Sequence, residues 1–318
     1  MLLLQLLING LQLGAIYALT AVGFALIFGS TRIFHVAHGA AFTLAAYLFW
    51  WSFTKLHWHW LAALVLAAAV VIAFGVAMER WIYRPIQRHE GAFFTVFIAA
   101  FGMQIVVQNA VGTVFGRGFE TVTVALSRAV PVATGLYVAP VAAVAIGTAI
   151  VCFIALAWFL TRTHVGTALR ALSDNPDLVR VFGLDPARLA QVAFALGSAL
   201  VVPGAALTAA TQGINPNIGA HIMLISLAAT IVGGIGSLTG AACGGLLLGL
   251  AESLALWKLD AQWSEGVTFV ILFVFVAARA TWRARDGDRR RRSAPRRGRR
   301  RFRSARSSSR SCSRPCSA

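Results

Sequence analysis

The sequence predicts an all-α integral membrane protein of about eight or nine transmembrane helices with one structured cytoplasmic loop. Three observations carry that reading. The 318 residues are 58% hydrophobic and only 12% charged, with mean hydropathy +0.74, whereas soluble domains carry about 25% charged residues. Apolar stretches of spanning length recur along the chain. One long hydrophilic stretch interrupts them and has a helical pattern of its own.

A helix needs about 20 apolar residues to cross the hydrocarbon, and its backbone must be satisfied internally there. On that measure spans fall near 7–28, 38–54, 61–79, 92–114, 137–161, 189–210, 222–236, 239–256 and 264–280. The first span is retained, because Met1 to Leu7 lacks a basic start and the apolar run is too long for a signal core. Gly233, Gly234, Gly236 and Gly240 leave the 222–256 pair as either two helices or one broken hairpin. With the N-terminus outside, eight Arg (32, 80, 84, 88, 162, 170, 180 and 188) face the cytoplasm, against Lys55, Arg117, Arg128 and Lys258 outside. Basic loops favour the cytoplasm, which supports an N-out, C-in orientation. Trp50, Trp51, Trp58 and Trp60 gather around an outer loop with His57 and His59, and read as an interfacial aromatic belt rather than a metal vestibule.

The loop 162–188 is expected to be a compact cytoplasmic knob. "HVGTALRALSDN" forms an amphipathic helix with Val165, Leu169 and Leu172 on one face. Asp174 or Asn175 caps a second helix that opens on Pro176 and stops at Gly183. Such a knob suits a partner protein better than a lipid surface.

Chemistry is sparse. No G-x-x-x-x-G-K-[ST] occurs, so nucleotide hydrolysis by this chain is excluded. No paired carboxylates lie inside a span, and no nucleophile–base motif or zinc-like Cys spacing appears. Neither catalytic residues nor a metal or cofactor is expected. "GGIGSLTGAACGG" (233–245) reads as close helix packing through small residues. Two interruptions of the apolar pattern matter more, "FGSTRIFHVAHGAAF" (28–42) and "TQGINPNIGAH" (211–221). Paired broken segments in two halves of a transporter often line its substrate path. They nominate His35, His38, Gly39, Asn215 and Pro216, with Gln104 from the polar stripe Gln104, Gln108 and Asn109. The alternative for the histidines, three apart on one helical face, is that one or both only satisfy local backbone groups or pack at the bundle interface.

Four ordered motifs resemble LIV-type permeases, the membrane subunits of ABC importers for branched-chain amino acids. The opening Asn9, Gly10, Gly14, Tyr17, Ala18 and Leu19 leads to Ala37, His38 and Gly39. "ERWIYRPIQ" (79–87), "GTALRALSDNPDLVRVFGLDPARLAQ" (166–191) and "IVGGIGSLTGAACGGLLLGLAES" (231–253) follow in family order. The resemblance implies a bacterial inner-membrane, multi-pass permease domain over 1–280. Its partners would be a second permease, forming a heterodimer, two ATPase subunits and a periplasmic solute-binding protein, with membrane lipid around it. It also implies an ATPase-coupling loop carrying Gly166, Arg170, Asp177 and Gly183, where Leu178 and Val179 replace the family's two alanines. The alternatives are a permease for amides, urea or short carboxylates, and a stand-alone channel or secondary carrier.

The formal charge of +17 belongs largely to the end of the chain. Sixteen Arg and two Asp lie between Arg279 and Ala318, leaving +3 for the rest. The tail 281–318 departs from the family's R-P-x-G-L-x-G ending and is expected to be disordered. Only Trp282 and Phe302 accompany its Arg, too few for a nucleic-acid arm. Contact with anionic lipid is one reading. An altered reading frame is the favoured one, because shifting one codon choice for "ATWRAR" by a nucleotide yields Arg-Pro-Gly-Gly-Leu.

Overall fold

The computed structural model describes residues 2–89, 93–123, 130–133, 136–260, 263 and 266–277. The tail 281–318 and Arg128 lie outside the described residues, so the readings made for them stand as expectations. The compact unit covers residues 1–276.

Each of the nine apolar stretches lands on a helix. They are α1 (Leu2–Thr31), α2 (His38–Trp50), α3 (Trp60–Ala77), α5 (Phe93–Phe115), α6 (Pro140–Arg162), α9 (Pro186–Thr211), α10 (Ile218–Gly233), α11 (Leu238–Ala255) and α12 (Gly266–Ala277). Single π-helical turns extend α2 over Trp51–Lys55 and α3 over Met78–Tyr83, the latter leading into α4 (Arg84–His89). Between α6 and α9 lie α7 (His164–Asp174) and α8 (Pro176–Val181). Among the described residues six helices are long and apolar enough to cross a membrane, while α10 and α12 are shorter apolar helices.

Burial sorts the helices into a centre and a shell. Every residue of α1 from Gly14 to Ile27 is buried, because α9, α10 and α11 pack around it. By contrast α3 buries only Ala63, Ala67, Val71 and Gly75, a stripe repeating every four residues. Its other faces expose Val65 and Val70, as α5 exposes Ile98 and Phe101 and α6 exposes Val151 and Ile154. An apolar surface of that extent suits lipid or a partner membrane protein rather than water.

The α1–α11 contact explains the glycine-rich late segment. A Cβ on Gly249 would sit 2.2 Å from the Gly14 nitrogen, and one on Gly245 2.5 Å from the Ala18 nitrogen. Two small-xxx-small rows therefore interlock backbone to backbone, as lipid-embedded helices do in the absence of a hydrophobic drive. Gly234 and Gly236, both at positive φ, turn the chain between the two separate helices α10 and α11. Buried hydroxyls bridge helices nearby: Ser226 Oγ donates to Thr20 Oγ1 at 2.9 Å and Ser253 Oγ to the Leu6 carbonyl at 2.7 Å.

Two details depart from the sequence reading. The span placed at 137–161 begins at Pro140, since Val130–Ala133 (β1) and Leu136–Val138 (β2) form an antiparallel hairpin. Gln5 holds it to α1 through both its amide atoms, at 2.6 and 3.1 Å from the Tyr137 backbone. His35 is not on a helix at all; it lies in the segment between α1 and α2.

Candidate functional site

At one end of the bundle the loop 162–188 folds into the two short helices expected. Thr163 caps α7 by accepting from the Gly166 nitrogen at 2.9 Å. Gly166 seats α7 on the end of α6, where a Cβ would lie 2.3 Å from the Phe159 carbonyl oxygen. Leu169 and Leu172 are buried, but Val165, at the start of the same stripe, is 41% exposed.

Asn175, rather than Asp174, caps α8, its Oδ1 accepting from the Asp177 and Leu178 nitrogens at 3.0 and 3.1 Å. Gly183 ends α8 at φ +76°. The Leu184 nitrogen donates to the Val179 carbonyl at 3.2 Å and the Gly183 nitrogen to the Arg180 carbonyl at 3.0 Å. This pair of bonds is a Schellman termination. Asp185 then caps α9 through the Ala187 nitrogen at 2.9 Å.

The knob is tied to the bundle, since Ser173 Oγ donates to the Gly29 carbonyl at 2.9 Å and Arg32 reaches the Ser173 carbonyl at 3.4 Å. Arg170 lines a cavity between α7 and the loop ends of α1 and α11. The pairs Arg180–Asp177 and Arg188–Asp185, at 3.3 and 3.6 Å, are exposed and contribute about 0–1 kcal/mol each. Caps and packing set the shape. Beside the exposed Asp177 and Arg180, α8 and its end present apolar residues: Val181 is 81% and Phe182 75% exposed, with Leu178 and Leu184 next to them. Exposed apolar residues clustered on a hydrophilic knob mark a contact surface.

The two broken segments come together inside the bundle. After α1 the chain turns back along it, with Phe34 edge-on to Phe24 and Phe28, so α2 starts at the level of Thr20 and Gly23. There α2 meets the start of α10. A Cβ on Gly39 would be 2.4 Å from the Gly219 carbonyl oxygen, and one on Gly219 2.0 Å from that of Gly39. Neither helix start has a side-chain cap. Gln104 of α5 lies beside Gly39, only 3% exposed, and both its amide atoms lack a hydrogen-bond partner among the described residues.

One turn along α5 a polar cleft of about 360 Å³ opens, lined by Gln108, Asn109, Arg117, Asn215, Pro216 and Asn217 among others. Gln108 donates to Asn217 Oδ1, and Arg117 lies 3.4 Å from Asn109 Oδ1. Gly39 and Gln104 thus lie one turn of α5 away from the cleft that Asn215 and Pro216 line. His35 and His38 do not line that cleft. His35 Nδ1 pairs with the Tyr83 hydroxyl at 2.7 Å and its ring packs on Phe194. His38 Nε2 pairs with the Thr20 carbonyl at 3.1 Å. Both are buried in the bundle; His38 meets a backbone carbonyl, whereas His35 meets a side chain from the π-helical turn after α3. Sequence reasoning missed Arg117 and Asn217 as cleft residues, though Asn217 follows Pro216 within the broken segment itself.

The model for branched-chain amino acid transport system / permease component matches residues 6–276. The chain belongs to that family. It is a multi-pass membrane permease component, one part of a larger transport system. The chain is 29% identical over 291 residues to the high-affinity branched-chain amino acid transport system permease protein BraD of Pseudomonas aeruginosa, covering 87% of this chain and 94% of the relative. The corresponding permease protein LivH of Escherichia coli (strain K12) gives the same identity and coverage. A probable branched-chain amino acid transport permease protein LivH of Methanocaldococcus jannaschii is 34% identical over 117 residues, 37% of each chain. No solved structure matches the chain. The family match ends at residue 276, close to where the described residues end.

Proposed function

We propose that the chain is the permease subunit of an inner-membrane ABC importer for branched-chain or related amino acids. Two ATPase subunits dock on the cytoplasmic side, one of them on the loop 162–188, a second permease completes the membrane pore as a heterodimer, and a periplasmic solute-binding protein delivers substrate. The observation that carries the docking assignment is the capped, tied-down knob with exposed Leu178, Val181 and Phe182. It is rigid enough to transmit force and apolar where a partner protein must sit. Motion of the knob reaches the bundle through α6, α9 and the end of α1, which are the elements it touches.

Substrate passes between α5 and the opposed starts of α2 and α10. The cleft offers carboxamides and one guanidinium, groups that bind a carboxylate or an amide. This composition also favours a second reading, a permease for amides, urea or short carboxylates. The deciding experiment is uptake by proteoliposomes containing the chain and its partners, with labelled leucine competed by acetamide, urea and acetate. Competition by isoleucine and valine alone supports the first reading; competition by acetamide or urea alone moves the assignment to the second.

A further inference from the structure

A second polar cavity, of about 360 Å³, lies at the end of the bundle that carries the loop 162–188. Its walls are the end of α1, the π-helical turn after α3 with α4, the helices α7 and α8, and the first turns of α9. It shares no lining residue with the carboxamide cleft beside α5. The charged residues lining it are Glu79, Arg84, Arg88, Arg180 and Asp185. Two of these are already engaged, Arg180 with Asp177, and Asp185 with Arg188 and as the cap of α9. Among the described residues Glu79, Arg84 and Arg88 form no ion pair. Glu79 is only 3% exposed. Gln191 hydrogen-bonds its carboxyl group, yet Oε2 has no hydrogen-bond partner among the described residues. A buried carboxylate left in that condition is costly, and in membrane proteins it is retained where it faces a cavity or a pairing group.

The cavity also sits at a defined depth. The helix Trp60–His89 is apolar as far as Met78 and then carries Glu79, Arg80, Arg84 and Arg88. Trp81, in the same π-helical turn as Glu79, is 73% exposed. Exposed Trp at the end of a spanning helix marks the membrane–water boundary, where phospholipid headgroups lie.

We infer that this cavity binds the headgroup of a phospholipid carrying both a phosphate and a primary ammonium, as phosphatidylethanolamine does. The guanidinium forks of Arg84 and Arg88 match phosphate oxygens. Glu79 accepts from the ammonium, whose N–H donors need oxygen partners. A purely anionic headgroup would leave the Glu79 carboxylate unpaired beside like charge, and a trimethylammonium has no N–H to give it. The volume falls in the range of small-molecule pockets, so the occupant is larger than a bare ion. Basic pockets between membrane helices at this level hold lipid headgroups. The inference needs only that the chain spans a membrane and is independent of the substrate.

The test is native mass spectrometry of the delipidated permease complex, titrated with dihexanoyl phosphatidylethanolamine, phosphatidylcholine or phosphatidylglycerol. Phosphatidylethanolamine should fill one site about tenfold or more tightly than either of the others, as expected for an added charge-assisted contact. Arg84→Gln combined with Arg88→Gln should weaken that site by a similar factor, and Glu79→Gln should remove the preference over phosphatidylcholine. Arg162→Gln, at an exposed arginine outside the cavity, should change neither. Equal affinity for the three lipids, an unchanged site in the double variant, a preference that survives Glu79→Gln, or displacement by leucine would each overturn the assignment. So would filling by O-phosphoethanolamine with no lipid bound, which would make the ligand a soluble phosphate ester. The headgroup comparison needs no variant, so it decides even where a substituted chain fails to fold.

Discussion

Replacing Gly183 with valine should disconnect the knob from its ATPase while leaving the membrane helices in place. Gly183 sits at φ +76°, and nothing lies within 4 Å of a Cβ built on it. The penalty is therefore purely conformational. An L-residue in the left-handed region costs roughly 1–2 kcal/mol, and a β-branched one is a genuine outlier there. If the backbone instead rotates to relieve the strain, the Leu184–Val179 and Gly183–Arg180 bonds are lost at about 1 kcal/mol each. Either route costs about 2 kcal/mol, on the order of a thirtyfold shift away from the native ending of α8. Because α8 has six residues, it cannot absorb that loss. Membrane levels of Gly183→Val should match wild type, whereas co-purification of the ATPase subunits and substrate-stimulated ATP hydrolysis should fall together. Gly183→Asn should recover most of both, since Asn tolerates this backbone region. Wild-type behaviour of Gly183→Val in both assays would refute the reasoning.

Three further outcomes follow from the geometry. Gly39→Val should reduce uptake far more than Gly102→Val, because the first places a Cβ 2.4 Å from the Gly219 carbonyl while the second meets nothing within 4 Å. Overpacking of this kind costs about 1–3 kcal/mol, and equal uptake rates would count against a close α2–α10 contact. Gly249→Ala should lower the melting temperature of the detergent-purified protein, since its Cβ falls 2.3 Å from the Gly14 Cα; Gly147→Ala, with open space around it, serves as the comparison. Truncation after Arg285 should leave uptake intact, and loss of uptake at normal membrane levels would give the basic tail a function.

Much of this architecture was legible because lipid simplifies the code. Each apolar stretch of sufficient length became a helix, and the caps at Asn175 and Gly183 could be read from residue type alone, since their geometry is local. What the sequence hid was mostly contact across distance. Nothing in "AES" at 251–253 reveals that Glu252 turns toward Tyr17, 235 residues away. Spacing put His35 and His38 on one helical face, yet the chain turns back before α2 begins and His35 falls outside the helix. Val165 fits an amphipathic pattern but is left exposed at the start of α7. Gly39 and Gln104 come close to the cleft of Asn215 and Pro216 because two helix starts and α5 cross there. No local pattern encodes such a crossing.

The central claim is that the bundle moves its substrate only when the knob is driven by ATPase subunits. Its most direct test is leucine uptake in proteoliposomes holding the chain and its partner permease, measured with and without the ATPase pair, with ATP and the solute-binding protein supplied. Uptake should occur only in the vesicles that contain the ATPases, and it should vanish for Gly183→Val. Leucine flux at the same rate in vesicles lacking the ATPases would contradict the account and make the bundle a stand-alone channel or carrier.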